Sequence, residues 1–338
     1  MRDCPVRPPR AAAAPLAGPR RIAGELIALA YIAVIAWIAS ATGAFYVLFP
    51  ELGALSHDVM TRPHGTWARA PLMLAITPAL TGVVGILFTR ALPYGYASVI
   101  LTVAGAIAVV LVLRSPIAPA ISAGLLPLVL GVKSWWYPPG ILLGTVLLAA
   151  LSLRWKKFCT AHDDLDDEAN RLDDLIEATP ESGYAWLAAL MAFVAVAVFF
   201  VQLTGMRFVL FPPLVVIGFE MLGHTAICPW ANQPLKLPLA CFLTALGGFI
   251  SWRYIAATPL AAAVSMGWGI AVLRVFELHV PPALAVALLP LVMDRPTAAY
   301  PFAVALGTAL LALWFLAWRR FARVALTIPG ASRAGARR

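Results

Sequence analysis

The chain has 338 residues, 62% of them hydrophobic and only 12% charged, where an ordinary soluble domain carries roughly 25% charge, and its mean hydropathy is +0.86. A water-soluble fold cannot hide that much apolar surface. The net charge of +9 does not speak for nucleic acid either, because the basic residues stand at the ends of apolar blocks, where they act as topology signals.

The apolar blocks run to roughly 15 to 23 residues, enough to carry a helix through about 30 Å of hydrocarbon. With no water to satisfy the backbone, each block should be helical. Runs such as Leu142 to Leu151 lack the alternation of a transmembrane β-strand. In chain order the predicted spans are 22–44, 45–60, 70–89, 95–113, 116–131 and 137–153, then 184–203, 208–222, 238–252, 258–276, 280–293 and 298–318. Residues 1–21 are rich in Arg, Ala and Pro and precede a run, Ile22 to Phe45, longer than the roughly 7 to 15 residues of a cleavable signal core. An uncleaved signal anchor is expected there.

The two sets of six spans resemble one another. Thr42-Gly43 and Val47-Leu48-Phe49-Pro50 recur as Thr204-Gly205 and Val209-Leu210-Phe211-Pro212, and Pro71-Leu72 recurs as Pro238-Leu239. Leu113-Arg114 aligns with Leu273-Arg274, Leu126-Pro127-Leu128-Val129 with Leu289-Pro290-Leu291-Val292, Tyr137-Pro138 with Tyr300-Pro301, and Gly144-Thr145 with Gly307-Thr308. Order is kept throughout, as duplication requires. The expected fold is therefore all-α, a polytopic transmembrane bundle of about twelve helices in two six-helix repeats. If the short blocks 45–60 and 208–222 span, the repeats are parallel, and 20 of the 25 basic residues fall on the N-terminal side. If those blocks re-enter, the halves are inverted and the split is 16 to 9. The positive-inside rule favours the parallel arrangement with both termini cytoplasmic. The expected domains are a cytoplasmic tail (1–21), a first repeat (22–154), an acidic cytoplasmic linker (155–183), a second repeat (184–318) and a basic cytoplasmic tail (319–338).

Residues 160–182 hold 9 of the 16 acidic residues. Clustered carboxylates suit magnesium, but an Asp-rich diphosphate site needs a second such run facing the first, and the sequence has none. Leu165, Leu172 and Leu175-Ile176 fit a short amphipathic helix in a solvated linker. Cys4, Cys159, Cys228 and Cys241 lie far apart without metal spacing, so no metal site and no cofactor is expected.

Short or Pro-broken spans at matching positions of two repeats point to a substrate path. One such pair carries Phe49, Pro50 and Glu51 with Phe211, Pro212 and Pro213; the other opens on Pro116 to Pro119 and on His279, Val280, Pro281 and Pro282. Proline is pre-organised for a helix start, whose free N–H groups attract anions. Glu51 is the sharpest candidate, since a carboxyl inside a span is expensive unless it has work to do. Asp58 and Glu220 are expected at one repeat position and Arg114 and Arg274 at another, forming the ion pairs Asp58–Arg114 and Glu220–Arg274. His57, His224 and His279 could relay protons.

Residues 208–318, with Phe211-Pro212-Pro213-Leu214, the loop Pro229-Trp230-Ala231-Asn232-Gln233-Pro234, the small residues around Gly247-Gly248 and above all His279-Val280-Pro281-Pro282-Ala283, resemble the HPP family of multi-pass membrane proteins. That family is named for a His-Pro-Pro motif, which Val280 interrupts here, and the resemblance implies transport of an inorganic anion such as nitrite. Two six-helix halves also resemble, more weakly, the fusaric-acid-resistance type of aromatic acid exporter. The sequence thus points to a transporter or channel whose partners are the lipid bilayer and a small solute. The other classes are a membrane-embedded transferase using the Asp-rich run with magnesium and a non-catalytic membrane scaffold. No phosphate-binding loop of the P-loop type is present.

Overall fold

The computed structural model describes residues 18–159, 184–225, 228, 230 and 233–327, with backbone alone from 321 onward. The acidic run at 160–182, most of the N-terminal tail and part of the 229–234 loop lie outside the described residues. All regular structure among the described residues is helical. We label the helices α1 (Pro19–Thr42), α2 (Leu52–Thr61), α3 (Thr66–Arg69), α4 (Pro71–Ala91), α5 (Tyr96–Val112), α6 (Ala120–Leu130) and α7 (Tyr137–Lys156). After the linker come α8 (Ala185–Thr204), α9 (Pro212–Gly223), α10 (Lys236–Tyr254), α11 (Thr258–Val275), α12 (Pro282–Leu288) and α13 (Ala299–Thr327). Two 3-10 turns, Phe45–Val47 and Arg207–Leu210, precede α2 and α9, and a third, Leu289–Leu291, extends α12.

Six helices, α1, α4, α7, α8, α11 and α13, are long and apolar enough to cross a membrane by length and composition. The protein is thus an all-helical, multi-pass membrane protein. Their faces are inside-out relative to a soluble protein. In α4, the buried stripe includes Ala75, Thr77, Pro78, Thr81, Gly82 and Gly85, while Leu72, Leu80 and Leu87 point outward. Small residues inside let helices approach closely where lipid gives no hydrophobic drive to associate. At the tightest points a Cβ on Gly85 would meet the Gly124 carbonyl of α6, and one on Gly248 the Ala287 carbonyl of α12.

The segments expected as single spans at 45–60 and 208–222 are instead a 3-10 turn and a short helix, broken at Phe49-Pro50 and Phe211-Pro212 because proline donates no N–H. Each follows a glycine in the left-handed conformation, Gly43 (φ 72°) or Gly205 (φ 71°), where a β-carbon would be strained. The first of these segments still runs beside α7 for most of its length. The Tyr46 ring meets Tyr137 at the start of α7 edge-on, 5.8 Å between centroids. Near the other end, the Trp155 indole donates to the Met60 carbonyl (2.9 Å). Gly24, early in α1, approaches that same carbonyl. We call this the near end of the bundle, where α1 begins and α7 finishes, and the opposite one the far end.

Candidate functional site

Four short helices, α2, α6, α9 and α12, form the middle. Helix α2 packs on α12, α6 on α9, and α9 on α12. Every residue from Leu52 to Met60, Ala120 to Val129, Pro212 to Leu222 and Pro282 to Leu288 is buried. None of these helices shows lipid an apolar face, so long helices must surround them. Prolines stand at each entry: Pro50 before α2, Pro119 at the N-cap of α6, Pro212 and Pro213 opening α9, and Pro281 and Pro282 opening α12. Phe49 and Phe211 are fully buried beside their prolines.

Glu51 takes the N-cap position of α2 and is completely buried. Its Oε1 accepts a hydrogen bond from the Ser122 hydroxyl of α6, and its Oε2 has no hydrogen-bond partner. Its charge acts on two phenols, Tyr137 and Tyr300. Tyr137 Oη donates to Ala123 O (2.8 Å) and Tyr300 Oη to Val286 O (2.6 Å). The carboxyl is thus reached from α2, α6 and the first turns of α7 and α13. The next residue, Leu52, touches Gly144, about 10 Å from the start of α7 and about 18 Å from its finish at 1.5 Å per residue. Glu51 lies well inside the bundle.

A second polar cluster sits at the near end. Glu25 of α1 accepts a hydrogen bond from Arg274 of α11, with Arg21 Nε at 3.9 Å and His57 Nε2 at 3.8 Å from Oε1. Arg62 and Asp58, both buried, pair at 2.9 Å one helical turn apart. The charges of Arg62, His57 and Arg21 act on the half-buried His279, in the link before α12.

The predicted path residues therefore fall into two groups. Glu51 belongs to the centre, His279 to the near end. The expected ion pairs are redrawn: Asp58 pairs with Arg62 and Arg274 with Glu25, because α1 packs directly on α11. Arg114, exposed after α5, is not the counterpart of Arg274. It adopts a left-handed φ of 47°, matched by Glu277 at 53° after α11. In both places the next N–H closes the same bond, Ser115 N to Val110 O and Leu278 N to Leu273 O, each 2.9 Å, an ending of the Schellman type.

Sequence reasoning missed Glu25, Ser122 and the two phenols. Glu25 was available, as an acidic residue in the second turn of an apolar helix. At the far end, Arg207 stacks over the Tyr94 ring, 5.1 Å from its centroid. Burial pushes the Tyr94 phenol up to about 12, against the lowering influence of Arg207.

No family model matches the chain, and neither a curated protein nor a solved structure matches it.

Proposed function

We propose that the protein is a secondary transporter or channel for a small solute, with its pathway where two parallel six-pass halves meet. The observation that carries this reading is the carboxyl of Glu51, which no cation answers, buried among four short helices that no lipid touches.

The duplicated topology draws support from contacts that recur 163 residues apart. Tyr137 to Ala123 repeats as Tyr300 to Val286, Gly85 against Gly124 as Gly248 against Ala287, and Arg114 as Glu277. Contacts between the halves are exchanged too: α1 packs on α11 as α8 packs on α5, and α2 on α12 as α9 on α6. The passage of segment 45–60 beside α7 supports counting it as a full crossing, which returns α8 to the near end and makes the halves parallel. Most of the basic residues among the described residues then lie at the near end, which makes that end cytoplasmic.

Resemblance to the HPP family makes nitrite the first solute to try. The test is a flux screen in proteoliposomes with nitrite, nitrate, chloride and aromatic acids, each with and without a pH gradient. Flux of at least one above protein-free liposomes is expected, and it should survive charge reversal of Asp173 and Asp174, which would abolish a magnesium-dependent transferase. No flux for any of them overturns the proposal.

A further inference from the structure

We infer that the Glu51 carboxyl is a proton-binding site inside the membrane, loaded and unloaded in turn as solute passes. The inference rests on the transporter reading above and adds a coupling ion to it.

The first ground is isolation. Glu51 is fully buried, and one of its two oxygens has no hydrogen-bond partner. The titratable groups that reach it from the packed elements are the phenols of Tyr137 on α7 and Tyr300 on α13. The charged groups of α1, Arg20, Arg21 and Glu25, lie at or beyond the level of Met60, nine residues further along. On α2 itself, His57, Asp58 and Arg62 begin six residues away, about 9 Å along the axis. Arg69 of α3 follows beyond that near end, Arg154 and Lys156 close α7 there, the buried Glu220 stands in the last turn of α9, and α6 and α12 carry no ionisable side chain. A carboxylate so placed has no countercharge, and burying an unpaired charge is strongly unfavourable.

The second ground is the supply of oxygens. A hard metal cation asks for a shell of several oxygen ligands. Ser122 already gives its proton to Glu51 Oε1. Glu51 brings one carboxylate, and among the described residues no three or more His, Cys, Asp or Glu side chains gather in a way that could hold a metal ion. A proton needs only the one free oxygen. Its arrival turns carboxylate into carboxylic acid by forming a single O–H bond at Oε2, and its departure to water restores the charge. The acid can then donate to a solute oxygen that comes within reach.

The test reads the carboxyl directly and does not need the solute. Protein in liposomes is examined by infrared difference spectroscopy while sodium-free buffer is exchanged from acid to alkaline. A carboxylic C=O band that is lost on the alkaline side, absent from Glu51→Gln and unmoved by added sodium is expected. The same band in Glu51→Gln overturns the inference, and so does loss of the band when sodium is added at constant pH. Glu51→Asp, which keeps the acid, should keep a shifted band, so a misfolded Glu51→Gln protein cannot imitate the expected result. If the band behaves as expected and no solute crosses, the transporter reading fails and the proton site stands.

Discussion

Two buried glutamates of this protein are handled in opposite ways. Glu25 at the near end is surrounded by Arg274, Arg21 and His57, whereas Glu51 in the middle has a serine hydroxyl and no cation. The contrast shows where the fold spends its positive charge. At the near end, where water and headgroups are close, the chain holds a carboxylate with ion pairs that also tie α1 to α11. In the centre it leaves a carboxyl without one, which is costly unless the group does something a paired carboxylate cannot. A permanent ion pair stabilises; a lone carboxyl can change state.

Substitutions at the two sites should separate these roles. Glu51→Lys places a fixed charge among apolar helices and should cost about 3 kcal/mol or more, so little folded protein is expected by size-exclusion chromatography in detergent. Glu51→Gln keeps the shape and the bond to Ser122, and should stay within about 1 kcal/mol of the parent. Equal damage from both would mean that the site tolerates no change at all. Glu25→Ala should cost about 2 kcal/mol, less than a fully buried pair because the Arg274 side chain is 48% exposed. The loss would appear as earlier thermal labelling of the buried thiol of Cys241 by a reactive dye. Arg274→Ala should cost less than Glu25→Ala, since Glu25 keeps Arg21 and His57.

The smallest effect is expected at the far end. Arg207→Ala removes a cation–π contact of about 0.5–1 kcal/mol. The Tyr94 phenol is held above its ordinary value in the folded state, so its contribution to stability is complete below pH about 10 and is lost as pH rises toward about 12. Tyr94→Phe should leave neutral stability unchanged and reduce the loss in that alkaline window, as thermal melts at stepped pH would show.

The positions of the six long helices were legible from apolar runs alone, and prolines marked the short ones. What the runs could not show is that these four are wholly interior, since a helix facing lipid and one facing other helices are equally apolar. Pairing was less legible. Arg62 stands four residues from Asp58, a spacing visible in the sequence. Ser122 lies 71 residues from Glu51 within one half, and Arg274 lies 249 from Glu25 across the two halves, distances that only tertiary packing resolves. The alignment of Arg114 with Arg274 failed because matching Leu-Arg pairs outweighed a constant offset. Backbone geometry, with Arg114 and Glu277 both left-handed, restores that offset.

The exchanged packing of the two halves also bears on how the chain is made. Helix α1 emerges more than two hundred residues before α11, its eventual neighbour. Throughout that interval Glu25 must enter the membrane without Arg274. Arg21, one helical turn earlier, is the partner already at hand. Helix α5 waits in the same way for α8, so neither half can finish burying its own surface until the other has been synthesised.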